Sequence, residues 1–137
     1  MPLVTRHVPR SRALRVLIVD RHEISRAAQT ALLRTEGLDA LDVHPDCDAV
    51  AVARALQPQV VVIDAALTAK RAVMLVRALR ALPRAPAVVL TSSGDPSRLD
   101  CALAEFTFVA KADICAAAIL LALPPATDEL RQQCGSV

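Results

Sequence analysis

The chain has 137 residues, 54% of them apolar and 1% aromatic, with a formal net charge of +2. These values fit one domain with a real core, exclude global disorder, and give no charge signature of a polyanion binder. Phe106 and Phe108 are the only aromatics, so the core must be built from Leu, Val, Ile and Ala, and a stacking surface for single-stranded nucleic acid is excluded.

Residues 1–14 form a basic arm with Arg6, His7, Arg10 and Arg12 and no acid. It reads as a solvated segment, or as a contact for nucleic acid or an acidic partner. "RVLIVD" (15–20) is a short apolar run and predicts a buried strand. Ile24, Ala27, Ala28, Ala31 and Leu32 then follow helical spacing up to Thr35, with Gly37 placed to end the helix. "LDALDV" (38–43) alternates as a second strand. Asp46 is placed to cap a helix reaching about Gln57, where Pro58 stops it.

"VVVID" (60–64) is the third strand. A helix over 70–82 follows, with Val73, Val76 and Leu79 on one face and Pro83 after it. "AVVLT" (87–91) is the fourth strand. "SSGDP" then leads into a helix that Asp95 caps and Pro96 begins, carrying Leu99, Ala102 and Leu103. "FTFVAK" (106–111) is the fifth strand. Asp113 is placed to cap a last helix with Ile114, Ala117, Ala118 and Leu121, ended by Pro124 and Pro125, and residues 124–137 form a polar tail.

The cysteines Cys47, Cys101, Cys115 and Cys134 form no CxxC pair and have no His at ligand spacing, so they read as small apolar residues of a reduced cytosol. Residues 1–15 hold no continuous apolar segment and no run reaches 18 apolar residues. The expectation is a cytoplasmic protein without signal peptide or membrane span.

Five βα units with continuous apolar strands predict an α/β domain over 15–123, a single doubly wound, five-stranded parallel sheet. Ligands of such sheets bind beyond the carboxyl ends of the strands. Those ends carry Asp20 and Arg21, Asp64, Thr91 with Ser92 and Ser93, and Lys111. Two carboxylates, a hydroxyl and an ammonium can serve phosphoryl chemistry. A carboxylate can act as nucleophile, the hydroxyl and lysine can bind phosphoryl oxygens, and a hard divalent ion normally bridges carboxylates and phosphate.

"VLIVDRHE", "PQVVVID", "VVLTSS" and "FVAK", in this order and spacing, resemble the response-regulator receiver domain of two-component phosphorelay signalling. The resemblance spans about 15–123 and implies a flavodoxin-like (βα)5 fold of strand order 2-1-3-4-5. It implies Asp64 as phospho-acceptor, Thr91 as the hydroxyl that senses the phosphoryl group, and Lys111 as its ion-pairing partner. It further implies Phe108 as the switch aromatic and Asp20 with Asp64 as magnesium ligands.

The chain departs from that pattern at three places. Arg21 stands where a second acid is usual, "DAALTAKRA" follows the acceptor without its usual Pro and Gly, and Ala112 follows Lys111. Arg21 removes two units of negative charge from the site, which weakens a magnesium site. It can instead pair with Asp64 or with a bound anion, or point to solvent.

The expectation is therefore a non-enzymatic, stand-alone atypical receiver, with a phosphorylation-independent pseudo-receiver acting through protein–protein contact as the alternative. The partner implied is a histidine kinase or another signalling protein, with no DNA-binding domain after Leu123. Homodimerisation is open, since "DICAAAILLAL" can serve either pairing or a buried face. A nucleotide-binding enzyme is disfavoured by the absence of GxGxxG and P-loop motifs among three glycines.

Overall fold

The computed structural model describes residues 13–66, 69–92 and 106–123, the side chain of Ala69 excepted. Five strands form one parallel sheet: β1 (Arg15–Val19), β2 (Asp39–Val43), β3 (Val60–Asp64), β4 (Ala87–Ser92) and β5 (Thr107–Ala110). Their order is β2-β1-β3-β4-β5, the order the resemblance implied. The described helices are α1 (Glu23–Thr35), α2 (Ala49–Leu56), α3 (Ala69–Arg80) and α4 (Ala116–Ala122). The helix expected after Pro96, the basic arm and the polar tail lie outside the described residues. Among those described, no helix is long and apolar enough to cross a membrane.

The central strands are nearly continuous apolar runs because both faces of the sheet are covered there, while the edge strand β2 alternates with Asp39 and Asp42. Leu17, Val19, Val61, Ile63 and Leu90 pack against Ala49 and Ala53 of α2 and Ala72, Val76 and Leu79 of α3. The alternate residues Val16, Ile18, Val60, Val62 and Val89 pack against Leu33 of α1 and Ile119 of α4, with Ile114 between. Among the described residues two helices cover each face, which makes a three-layer domain, and at about 25 cal/mol per Å² the apolar area removed from water is its main stabilising term.

The helix ends follow local chemistry, in two cases not the expected residue. Asp48, rather than Asp46, caps α2, its Oδ1 accepting from the Ala51 N–H at 3.0 Å. Asp46 lies too early to reach that turn and pairs with Arg71 at 3.3 Å. Cys115, rather than Asp113, is the cap residue of α4, its sulfur accepting from the Ala118 N–H at 3.4 Å. Asp113 is used up in a single 3-10 turn, Lys111–Asp113, that follows β5. Gly37 ends α1 at φ +94°, a left-handed conformation that lets the Leu38 N–H return to Leu33 O at 3.0 Å. Gln57 ends α2 at φ 52°, immediately before Pro58.

Two helices turn a different face inward from the one their apolar spacing suggests. On α1, Ser25, Arg26, Gln29, Thr30 and Leu33 face the sheet, while Ala27, Ala28 and Ala31 are exposed and Ile24 is 86% exposed. The cause is polar: Gln29 and Thr30 have partners at the sheet edge, described below, that an Ile or Ala could not satisfy. On α4 the inward residues are Ile119 and Ala122, and Leu121 is exposed. Of the α3 face expected from Val73, Val76 and Leu79, Val76 and Leu79 are buried and Val73 is half-buried against the same core.

Candidate functional site

Asp20 follows β1, and Asp64 ends β3. Asp64 and Thr91 of β4 are paired in register on adjacent strands. All three are buried to 1% exposure at the carboxyl edge of the sheet. Lys111 enters this edge from the residue after β5. Its Nζ lies 2.9 Å from Asp20 Oδ2 and 3.2 Å from Asp64 Oδ2, so one ammonium bridges two buried carboxylates. The short distances and burial make both contacts charge-assisted and strong.

The remaining oxygens are also taken. Asp20 Oδ1 accepts from the His22 N–H at 2.8 Å, and Asp20 Oδ2 accepts from Ser25 Oγ at 2.9 Å and Gln29 Nε2 at 3.0 Å. Asp64 Oδ1 accepts from the Ala66 N–H at 3.0 Å. Burial pushes the Asp20 carboxyl upward most strongly, but the His22 N–H, the Lys111 and Ser25 hydrogen bonds and the Lys111 charge together outweigh it. Asp20 is therefore held below the ordinary carboxylate range.

A second polar layer lies behind the first. Arg26 Nη1 donates to Asp20 O at 2.9 Å, and its Nε lies 3.8 Å from Asp42 Oδ1. Thr30 Oγ1 lies 2.9 Å from Asp42 Oδ2. These contacts lock α1 onto the ends of β1 and β2, so the Asp20 rotamer is set by the helix.

The structure thus brings together Asp20, Asp64, Thr91 and Lys111. Arg21 is exposed, and no hydrogen bond or ion pair joins it to Asp20, Asp64 or any other described residue. It does not pair with Asp64, because Lys111 already holds that carboxylate. Phe108 is half-buried on the α2–α3 side of the sheet, while its neighbour Val109 packs on the α1–α4 side. It is thereby separated from the carboxylates, which continue the alternation of the α1–α4 side.

Ser25 and Gln29 are the site residues that apolar spacing did not single out. The signal available was their i, i+4 spacing, continued by Leu33, with Arg26 and Thr30 beside them. A polar stripe on a helix between apolar strands marks the side that meets a polar group.

No family model matches the chain, and no curated protein matches it at a significant level. Solved structures do. A response-regulator receiver domain from Methylobacillus flagellatus is 24% identical, covering 77% of this chain and 92% of its own, with a TM-score of 0.62. The signal receiver domain of the putative response regulator NarL from Mycobacterium tuberculosis is 21% identical, covering 80% and 96%, with a TM-score of 0.64. The pseudo-receiver domain of the CikA protein is 20% identical, covering 83% and 100%, with a TM-score of 0.62. With the strand order and the sheet-edge geometry above, these likenesses establish that the chain has the flavodoxin-like fold of response-regulator receiver domains.

Proposed function

We propose that the chain is a signalling module of pseudo-receiver type, which acts by binding a protein partner and whose acidic pocket is held closed by Lys111 in place of a divalent ion. The observation that carries this is the Lys111 bridge. A single ammonium lies 2.9 Å from Asp20 and 3.2 Å from Asp64, which supports a pocket whose two carboxylates are neutralised without a divalent ion. Magnesium is ordinarily held by one or two carboxylates with waters completing an octahedron, and the reading is supported by Lys111 already lying against both carboxylates available here. Asp20 Oδ2, the oxygen nearest Lys111, also receives Ser25 and Gln29, and Arg21 adds positive charge where a third carboxylate would be required.

A second reading is favoured by one observation, the in-register pairing of Asp64 with Thr91 beside Lys111. Under it Asp64 accepts phosphate from a histidine kinase, Lys111 neutralises the new charge, and Thr91 and Phe108 carry the switch. Intact mass after incubation with acetyl phosphate, with and without magnesium, separates the two. The pseudo-receiver reading expects no mass gain in the wild type. It is overturned by a magnesium-dependent gain of one phosphate that Asp64→Asn abolishes. A gain appearing only in Arg21→Asp identifies the arginine as the residue that disables the metal site.

A further inference from the structure

The solvent face of α3 carries cations and no acid, and the helix does not need them. Between Asp64 and Asp95 the sequence has Lys70, Arg71, Arg77, Arg80 and Arg84 and neither Asp nor Glu. All five cations are exposed. Arg77 and Arg80 lie in the last turn of α3, where the helix dipole favours a positive charge. Lys70 and Arg71 lie in its first turn, where the dipole disfavours one, and no acid stands there to offset them. Contacts within the chain take up two of the five. Arg71 pairs with Asp46 at 3.3 Å, and Arg80 lies over the Phe106 ring at 4.8 Å. Lys70, Arg77 and Arg84 form no hydrogen bond or ion pair with any described residue.

Met74 sits inside this field of charge and is 60% exposed. It follows Lys70 by four residues and precedes Arg77 by three, so it neighbours both on the helix surface. It also lines an open cavity of about 230 Å³ between α2 and α3, together with Pro45, Ala49, Val50, Arg71 and Leu75. The acid in that lining, Asp48, is engaged in capping α2. The volume is below the roughly 300–1,000 Å³ of small-molecule sites and suits a single apolar side chain.

Three kinds of anionic partner answer unpaired cations, and the surroundings choose among them. A nucleic-acid backbone makes no use of an exposed methionine beside an apolar cavity, and the net charge of +2 is too small for a polyanion binder. A bilayer surface needs a free apolar helix face to insert, and the apolar face of α3, with Val76 and Leu79, is buried in the core. A protein segment supplies both halves of the match, carboxylates for the cations and one apolar side chain for the cavity. An apolar anchor ringed by polar contacts is the usual plan of a protein interface. We infer that the α2–α3 face is a docking surface for an acidic protein segment, which places one large apolar side chain in the cavity beside Met74 and its carboxylates on Lys70 and Arg77. The inference rests on the reading of the chain as a protein-binding module and names the chemistry of its partner; Asp64 and Lys111 play no part in it.

The test is fluorescence anisotropy of the full chain, at low salt, with a labelled glutamate-rich peptide carrying one central leucine. Saturable binding is expected, about tenfold tighter than that of the same peptide with glycine in place of leucine. Lys70→Glu and Arg77→Glu each set like charge against the peptide and weaken binding by about tenfold. Met74→Asp weakens it by about as much. All three positions are exposed, and an unchanged circular dichroism spectrum establishes that each variant is folded. No saturable binding, equal binding of the two peptides, or binding that Arg77→Glu and Met74→Asp leave unchanged each overturns the proposal. A short DNA duplex or phosphatidylserine–phosphatidylcholine vesicles bound as tightly as the leucine peptide overturn it as well. The result is separable from the phosphorylation test: a chain that gains no phosphate and binds no peptide loses this surface alone, and one that gains phosphate and binds the peptide loses only the pseudo-receiver reading.

Discussion

Gln29 donates its side-chain amide to Asp20 Oδ2 at 3.0 Å, from the helix face that packs on the sheet. An apolar residue is the ordinary occupant of such a position. The amide also pays a cost there: its own Oε1 is buried with no partner among the described residues. Retaining a half-satisfied glutamine follows if the bond to an ionised carboxylate outweighs the unpaired carbonyl. Gln29→Leu removes both and is expected to lower stability by about 1–2 kcal/mol, the net of a lost charged hydrogen bond and a relieved carbonyl. Gln29→Glu adds a third carboxylate to the pocket and is expected to cost more. Urea unfolding ranks the three proteins, and a Gln29→Leu variant as stable as the wild type would remove the amide from the account of the site.

Lys111 is the cation that bridges the two buried carboxylates. With it gone, Asp20 and Asp64 face each other buried and unpaired. Breaking a buried pair by removing one partner costs about 3–5 kcal/mol. Lys111→Met is expected to fall in that range at neutral pH, and Asp64→Asn in the same background is expected to recover part of the loss by removing one of the stranded charges. Chemical denaturation of the single and double variants gives the coupling directly. Additive effects would mean that the bridge between Lys111 and Asp64 contributes nothing.

Acid stability follows from Asp20. Its folded-state pKa lies below the unfolded value of about 3.9. The unfolded chain therefore binds the proton more readily than the folded one. The stabilisation is complete above the unfolded pKa and is lost as pH falls through the folded value. Wild-type stability is expected to drop on acidification below about pH 4. Asp20→Asn, less stable at neutral pH, is expected to have a shallower acid limb. Urea midpoints across the acid range measure both slopes, and parallel limbs would mean that Asp20 is not the group responsible.

The sheet was legible because its central strands are apolar runs ending in charged or hydroxyl residues and its second strand alternates, and Val60–Asp64 could be read in no other way. Strand ends also marked Asp20, Asp64, Thr91 and Lys111 as neighbours before any geometry was known. What could not be read was which face α1 presents. Ile24, Ala28 and Leu32 follow a helical period as well as any buried stripe does, and only the needs of Asp20 and Asp42 turn Gln29 and Thr30 inward. Periodicity gives a stripe, and hydrogen-bond satisfaction decides whether it faces in or out. The capping errors at Asp46 and Asp113 are of another kind. Several acids near a helix start compete, and the one chosen depends on a backbone path that sequence fixes only to within a residue or two.

Cys115 gives the last prediction. A thiol is a weak acceptor, and the Ala118 N–H reaches its sulfur at 3.4 Å. Serine places an oxygen on the same backbone, which already has the extended conformation of a cap, φ −160° and ψ 170°. Oxygen is the stronger acceptor, and α4 has only seven residues, so its first turn is a large share of its hydrogen bonding. Cys115→Ser is expected to raise stability by about 0.5 kcal/mol, and Cys115→Ala to lower it by about as much, within the range measured for cap substitutions. Thermal unfolding compares the three proteins. Because Ile114, one residue away, is buried against the sheet, the same experiment also reports how firmly the start of α4 is held. If serine and alanine destabilise equally, the sulfur is held there by packing, and α4 is held by the burial of Ile114, Ile119 and Ala122 and by Glu36, whose Oε1 accepts from the Ala116 N–H.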